Sequence, residues 1–571
     1  LRPVPLALHH PSAGSLLPRR PLATRWFAPL PALQRGLVAL ASGLALAAAG
    51  RTAVAQPVAG LGDDAIPIPA RAWRLSIGAT WDQWDQRLLG TGERGPLLGG
   101  LSTPSFGAAQ LPVLATTESS IRELLGRSDF DLTLGALEAS GAVRRATSIL
   151  RADVGITRRV SLGVRIPYVE VVHDARLVLN RDGTGANVGE NPARTNTGAY
   201  ASNGNVYTAL DNARATLAEA VTTCTTASSS PLCAAVLADP AGAASLLERT
   251  GRFLNAWRGT YGDGTTTAGA PVVPVAGSGA HEAIGASLAS LSDGFERFGA
   301  PGVPRAVPAG ATLVYGSNGL QSIAQDSAFG VGADTLDRAF RAGMGDIDLE
   351  ARVLLLDTWN ADQTARLTSG RSGVRVLASA GWRFGTASSA QANQPFALAT
   401  GEGVNALLLR ATADAVWRRR AWISVTARTT MHQADNAVVR LPGAGLPDAF
   451  FLGTPQAAQR SLGQRFELEI APRVSLGENF GVSATWAHRT IGSDSYRTGD
   501  GTEFSTPSGS AQFGAIGVTY STLAPFVRGK SKHAVEVLFA HEVALSSSGV
   551  IVPSLVRDRL ELRIYPGFPR R

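Results

Sequence analysis

Beyond its first 55 residues, this chain has no stretch of 18 consecutive apolar residues. A helix needs roughly 20 such residues to cross a bilayer, so any crossing by the body of the chain has to be made by strands. Cysteine is scarce. Cys224 and Cys233 are the two present, which excludes CxxC redox motifs, Cys/His zinc spacing and haem attachment. They lie close together in a polar segment, and in an oxidising compartment they form a candidate local disulfide. The motifs GxSxG and HExxH are also missing, and nothing suggests a soluble hydrolase. His173, His432, His488 and His541 stand singly on or beside candidate strands, where a lone histidine is ordinarily solvated or hydrogen-bonded. The Asp-Gly pairs at 182, 263 and 500 read as turns, because the rest of a calcium ligand series is absent. No cofactor or metal is expected.

Excess charge of one sign is lacking too, once its location is taken into account. The formal net charge is +8, but residues 1–55 hold six arginines and no acid. The remainder has 47 basic and 45 acidic residues, so charge gives no support to a nucleic-acid partner. The basic cluster runs up to Arg35. It precedes an apolar run, Gly36 to Gly50, and then Ala53-Val54-Ala55, a small-x-small site. That is the layout of a cleaved secretory signal peptide over 1–55, with an uncleaved anchor as the alternative. The barrel body is then 56–571.

What the body does contain is alternation, which places successive side chains on opposite faces of a strand. In 374–384 one face reads Val374, Val376, Ala378, Ala380, Trp382, Phe384 and the other Arg375, Leu377, Ser379, Gly381, Arg383. The same pattern opposes Trp73, Leu75, Ile77, Ala79 to Arg74, Ser76, Gly78, Thr80, and Phe466, Leu468, Ile470 to Glu467, Glu469. Charges recur in mid-strand on a single face, unlike the outward charges of a soluble sandwich. Segments near ten residues suffice for tilted membrane strands. A mean hydropathy of +0.06 and 63 glycines suit a wall with one apolar face and one polar face.

Twelve strands are expected, with ten or fourteen as alternatives: 73–84, 145–156, 159–171, 346–357, 373–385, 405–418, 421–434, 464–476, 480–491, 510–522, 534–546 and 556–566. Alternation slips in the tenth and eleventh. Segment 128–143 is either an extension of the second strand or a loop hairpin. Long and short connections alternate, as in barrels with short periplasmic turns and longer outer loops. Two aromatic girdles are expected, one from Trp359, Trp417, Trp422, Phe480, Tyr520 and Tyr565 near the short turns. The other comprises Trp81, Trp84, Trp382, Phe384 and Phe466, while Trp486 falls in mid-strand and does not fit. The insertion 172–345 is partly helical, at 209–222, 241–258 and 283–297, and is either an outer cap or a lumen plug. The fold class is therefore all-β: a transmembrane antiparallel up-and-down barrel with one long outer insertion.

Three local patterns carry a family resemblance: LRADVGITRRVSLGVRIPY at Leu150–Tyr168, MGDIDLEARVLL at Met344–Leu355, and ELEIAPRVSL at Glu467–Leu476. They resemble transporter-like bacterial outer-membrane barrel proteins, including the group named for the phenol meta-cleavage pathway. The resemblance covers roughly half the chain and describes barrel construction. It implies a pore or uptake channel for small solutes, hydrophobic or aromatic ones included. It also implies outer-membrane lipid and the barrel-assembly machinery as partners. The chain departs from that pattern in its large insertion, and in finishing on Arg571 where an aromatic residue is usual.

The polar faces supply the candidate lumen residues: Arg74, Arg151, Asp153, Arg165, Asp348, Glu350, Arg352, Arg375, Arg383, Arg410, Asp414, Arg428, Glu467, Glu469, Arg473, Glu561 and Arg563. They read either as a charged channel with a slight anion preference or as cross-strand pairs holding a narrow lumen together. An outer-membrane enzyme and a surface adhesin are the rival classes. No catalytic residue is expected.

Overall fold

The computed structural model describes residues 65–569 apart from 67, 226–229, 301, 360–370, 389–391, 395, 397, 418–420, 441–451 and 454. The expected signal peptide and the turn at Arg419-Arg420 lie outside the described residues. Twelve strands form the wall: β1 (Trp73–Trp84), β2 (Leu137–Gly155), β3 (Val160–Leu179), β4 (Ile347–Asp357), β5 (Gly373–Phe384), β6 (Ala406–Trp417), β7 (Ala421–His432), β8 (Arg465–Ser475), β9 (Phe480–Ile491), β10 (Gly509–Ser521), β11 (Val535–Ser548) and β12 (Val556–Ile564). Each pairs antiparallel with its sequence neighbour, and β1 closes the ring on β12 from Leu75↔Ile564 to Gln83↔Val556. Closure leaves no open edge in the wall, the condition for strands in hydrocarbon.

Alternation sets which face each side chain takes. Ile77, Leu150, Leu349, Leu407, Phe539 and Leu560 are exposed on the outside, whereas Arg74, Ser76, Asp153, Arg352, Thr412 and Glu561 are buried within. An apolar exterior around a charged interior inverts the arrangement of a soluble protein and identifies a transmembrane barrel. Each large apolar side chain moved from water to lipid contributes about 1.5–3 kcal/mol.

The strand limits agree with the alternation to within two residues except in one hairpin. β2 and β3 run 19 and 20 residues and stay paired from Gly155↔Ser161 to Leu137↔Leu179. Twenty residues reach roughly 65 Å, about twice a bilayer's core. Segment 137–143 therefore extends the second strand. The far half of β3 pairs with an additional strand, Ala339–Met344, while its near half pairs with β4. The change of partner falls at Pro167, which has no N–H to donate; Gly345 N–H bonds its carbonyl at 2.9 Å. Across this kink the Asp346 carboxylate accepts the N–H groups of Ala387 at 3.1 Å and Glu402 at 2.7 Å.

The segments between the wall strands hold helices α1 (Leu114–Leu125), α2 (Thr197–Thr223), α3 (Pro231–Ala238), α4 (Pro240–Tyr261), α5 (Gly279–Arg297) and α6 (Gly319–Gln325). Buried Leu246, Thr250, Phe253, Leu254, Trp257 and Tyr261 recur at helical spacing on α4. They pack with Leu210 and Leu217 of α2 and Ile284, Leu288 and Phe295 of α5. Asn196, Asp239 and Ser278 begin these three helices by accepting first-turn N–H groups. Cys224, just past α2, is bridged to Cys233 in α3, with the Cα atoms 5.3 Å apart.

Candidate functional site, the charged lumen

The wall encloses a cavity of about 680 Å³. Among the described residues, eleven arginines and nine carboxylates line it, and none of its lining comes from 180–338. Of the seventeen residues singled out from sequence, Arg151, Arg165, Asp348, Glu350, Arg352, Arg383, Arg410, Arg428, Glu467, Glu469 and Glu561 border the cavity. Arg74, Asp153, Arg375, Asp414, Arg473 and Arg563 do not; they are buried where the strands approach the chain termini and short turns.

The cavity residues and their buried neighbours form several ion-pair clusters. Asp348 accepts from Arg383 at 2.8 Å and from Arg165 at 3.3 Å. Glu350 accepts from Arg352 at 2.7 Å, from Arg410, and faces Arg151 at 3.6 Å. Asp153, beneath them, takes Arg74 at 2.9 Å and Arg151 and Arg352 at 3.1 Å. On the far side Arg428 holds Glu469 at 2.8 Å and Arg489 holds Glu467. Arg557 holds Asp82 at 2.7 Å, and Arg563 holds Glu561 at 2.7 Å. Charge-assisted, often forked contacts of this kind are the strongest hydrogen bonds available to a protein. Glycine makes room for them. Gly163 stands between Asp153 and Glu350 in register, and a Cβ there would lie 2.2 Å from Asp153 Oδ1.

Two elements narrow the lumen's ends. The connection between β5 and β6 folds inward, so that Ala399 to Glu402 line the cavity. Its Glu402 meets Arg465 at 2.7 Å, and His432 and Arg383 each at 2.9 Å. Burial alone would raise this carboxyl, but the His432 hydrogen bond and the Arg465 and Arg383 charges prevail and hold it down to about 2. At the other end, the segment before β1 crosses the lumen. Arg71 N–H bonds Gly155 at the end of β2 at 2.8 Å. Ala65 N–H bonds Asp414 on β6 at 3.0 Å, and Ala65 C=O accepts from Arg375 on β5 at 3.3 Å. Beside it a short helix, Leu523–Val527, has all five residues buried, and packs with Ala534 and Phe568.

Several expectations change here. Trp359 and Trp422 are buried, not set in an outer girdle; the Arg375 and Arg473 guanidiniums lie 5.2 Å from their ring centres, so inward cation–π contacts prevail over the interface preference. Tyr565 turns its hydroxyl onto Glu536. Trp417, Phe480 and Tyr520 do face outward. The four histidines occupy separate surroundings: His173 against Phe396, His432 on Glu402, His488 stacked on Trp486, and His541 2.8 Å from Asp558.

Arg557 was legible as one further step of the 559, 561, 563 alternation. Arg145 and Asp346 open the expected strands 145–156 and 346–357 and were not singled out, while Glu402 falls in a loop and Glu542 in the irregular eleventh strand. The crossing segment had a faint signal in prolines 67 and 69, which favour extended backbone.

No family model matches the chain, and no curated protein matches it. Similar solved structures include the COG4313 outer membrane channel from Pseudomonas putida F1, at 8% identity over 89% of this chain and 100% of that one, with a TM-score of 0.38. They also include the Ralstonia pickettii toluene transporter TbuX, at 8% identity over 87% and 90% of the two chains and a TM-score of 0.27. A Pseudomonas aeruginosa FadL homologue has 8% identity over 88% and 91%, with a TM-score of 0.26.

Proposed function

We propose that this barrel resides in a bacterial outer membrane, exported by way of its N-terminal segment, and gives small solutes a path across it. The carrying observation is a cavity of about 680 Å³ inside a closed wall whose outer face is apolar and whose inner face is charged. Charged groups placed along a lumen replace the hydration that a polar solute sheds on entering. Guanidinium faces also stack on rings, so aromatic solutes are accommodated. The helical insertion serves as an outer cap, a reading supported by the fact that none of its described residues between 180 and 338 line the cavity.

Single-channel conductance of the folded protein in a planar bilayer tests this reading. Discrete steps are expected, and they should enlarge when residues 65–70 are removed, since Ala65 crosses to the opposite wall. A barrel that migrates as folded yet shows no steps with either chain would overturn the channel reading.

A further inference from the structure

The register of the wall contains an arrangement that cross-strand energetics disfavours. Arg151 on β2 and Arg165 on β3 are direct partners, and both side chains border the cavity. Directly opposite residues place their Cβ atoms about 4.5–5.5 Å apart, and like charges there repel. The nearby carboxylates do not belong to this pair alone. Asp153, 3.1 Å from Arg151, also serves Arg74 and Arg352. Asp348, the carboxylate beside Arg165, also serves Arg383. Glu350, which faces Arg151, also serves Arg352 and Arg410. Arg165 keeps 41% of its side chain exposed to the lumen even with its ion pair made. Across the ring Arg428 reaches Glu467 and Glu469, and Arg489 also holds Glu467. β2 and β3 contribute Arg145, Arg151 and Arg165 to the cavity lining and no carboxylate, so their side of the cavity is its positive wall.

We propose that Arg151 and Arg165 form an oxyanion subsite, which takes the carboxylate or phosphate group of a solute in transit. Two guanidiniums on adjacent strands can both donate N–H groups to one anion, and arginine binds carboxylate and phosphate through such groups. An arriving anion relieves the Arg151–Arg165 repulsion, whereas an uncharged analogue of the same shape does not. The assignment rests on the channel reading and names the solute class that the channel favours.

Two measurements on the full folded chain separate the two claims. In the first, calorimetric titration of the detergent-solubilised protein compares benzoate, inorganic phosphate and uncharged benzyl alcohol. Benzoate or phosphate should bind, benzyl alcohol should bind at least tenfold more weakly, and Arg165→Gln should weaken the anion by about tenfold. Arg151→Gln provides a second variant should the first fail to fold, as judged by heat-modifiable gel migration. In the second, the zero-current potential in a tenfold KCl gradient should carry the sign of chloride preference and move toward zero in Arg165→Gln. Equal binding of benzoate and benzyl alcohol, or anion binding indifferent to both substitutions, would overturn the subsite whether or not the barrel conducts. Anion binding without any conductance would keep the subsite and remove the channel.

Discussion

Replacing Asp153 with asparagine tests whether the lumen ion pairs stabilise the barrel. Asp153 is 1% exposed and receives three guanidiniums, from Arg74, Arg151 and Arg352, within 2.9–3.1 Å. Asparagine keeps the shape and one acceptor oxygen but removes the negative charge. Breaking a buried ion pair from one side costs about 3–5 kcal/mol, because the remaining charge stays out of water. Two of the three partners retain Glu350, at 2.7 Å for Arg352 and 3.6 Å for Arg151. The loss therefore belongs at the lower limit, about 3 kcal/mol. Urea titration of the protein refolded into lipid vesicles, followed by tryptophan fluorescence and gel migration, reads this quantity. A loss under about 1 kcal/mol, the range of exposed pairs, would refute the view that these charges are desolvated partners.

Gly163→Ala places a methyl group 2.2 Å from Asp153 Oδ1; it should lower stability by about 1–3 kcal/mol in the same titration, while the exposed Gly183→Ala should not disturb the lumen. Glu402 contributes its tether above the ordinary carboxyl value of 4.5, and the contribution is lost as pH falls toward about 2. Current noise from the inward loop should rise over that acid window, and Glu402→Gln should show it already at pH 7. Arg440 donates to the carbonyls of Val331 at 2.6 Å, Gly453 at 2.7 Å, Gly332 at 2.8 Å and Ala392; Arg440→Gln should expose these loops to protease in limited digestion. Phe253→Ala should cost the helical insertion about 3–5 kcal/mol, leaving barrel gel migration unchanged.

The barrel was legible because its physics has one period. A wall with lipid on one side and water on the other forces side chains to alternate, and β5 and β8 display the pattern across their whole length. The lumen residues followed from the same rule, since Arg383 and Glu467 occupy the polar phase of their strands. What escaped had no period. Glu402 reaches the lumen from a loop, and its significance lies in meeting Arg383, Arg465 and His432 from three other elements. Trp359 and Trp422 show the limit of composition: an aromatic at a strand end serves an interface or a cation equally well. The extra length of β2 and β3 was hidden because segment 137–143, Leu-Glu-Ala-Ser-Gly-Ala-Val, puts small residues on both faces and shows no clear alternation.

The hydrogen bond from Ala65 to Asp414 joins residues 349 positions apart, and the ring closes only when the last strand, Val556–Ile564, reaches the first. The first waits until β6 has been made, and the second until the last strand has. Contacts of such sequence separation form late, after most of the entropy of ordering has been spent. The leading segment must therefore be wrapped by a sheet that is still open, or be drawn into a ring that has already shut. The order of those two events decides whether the newly assembled protein is born closed or born open.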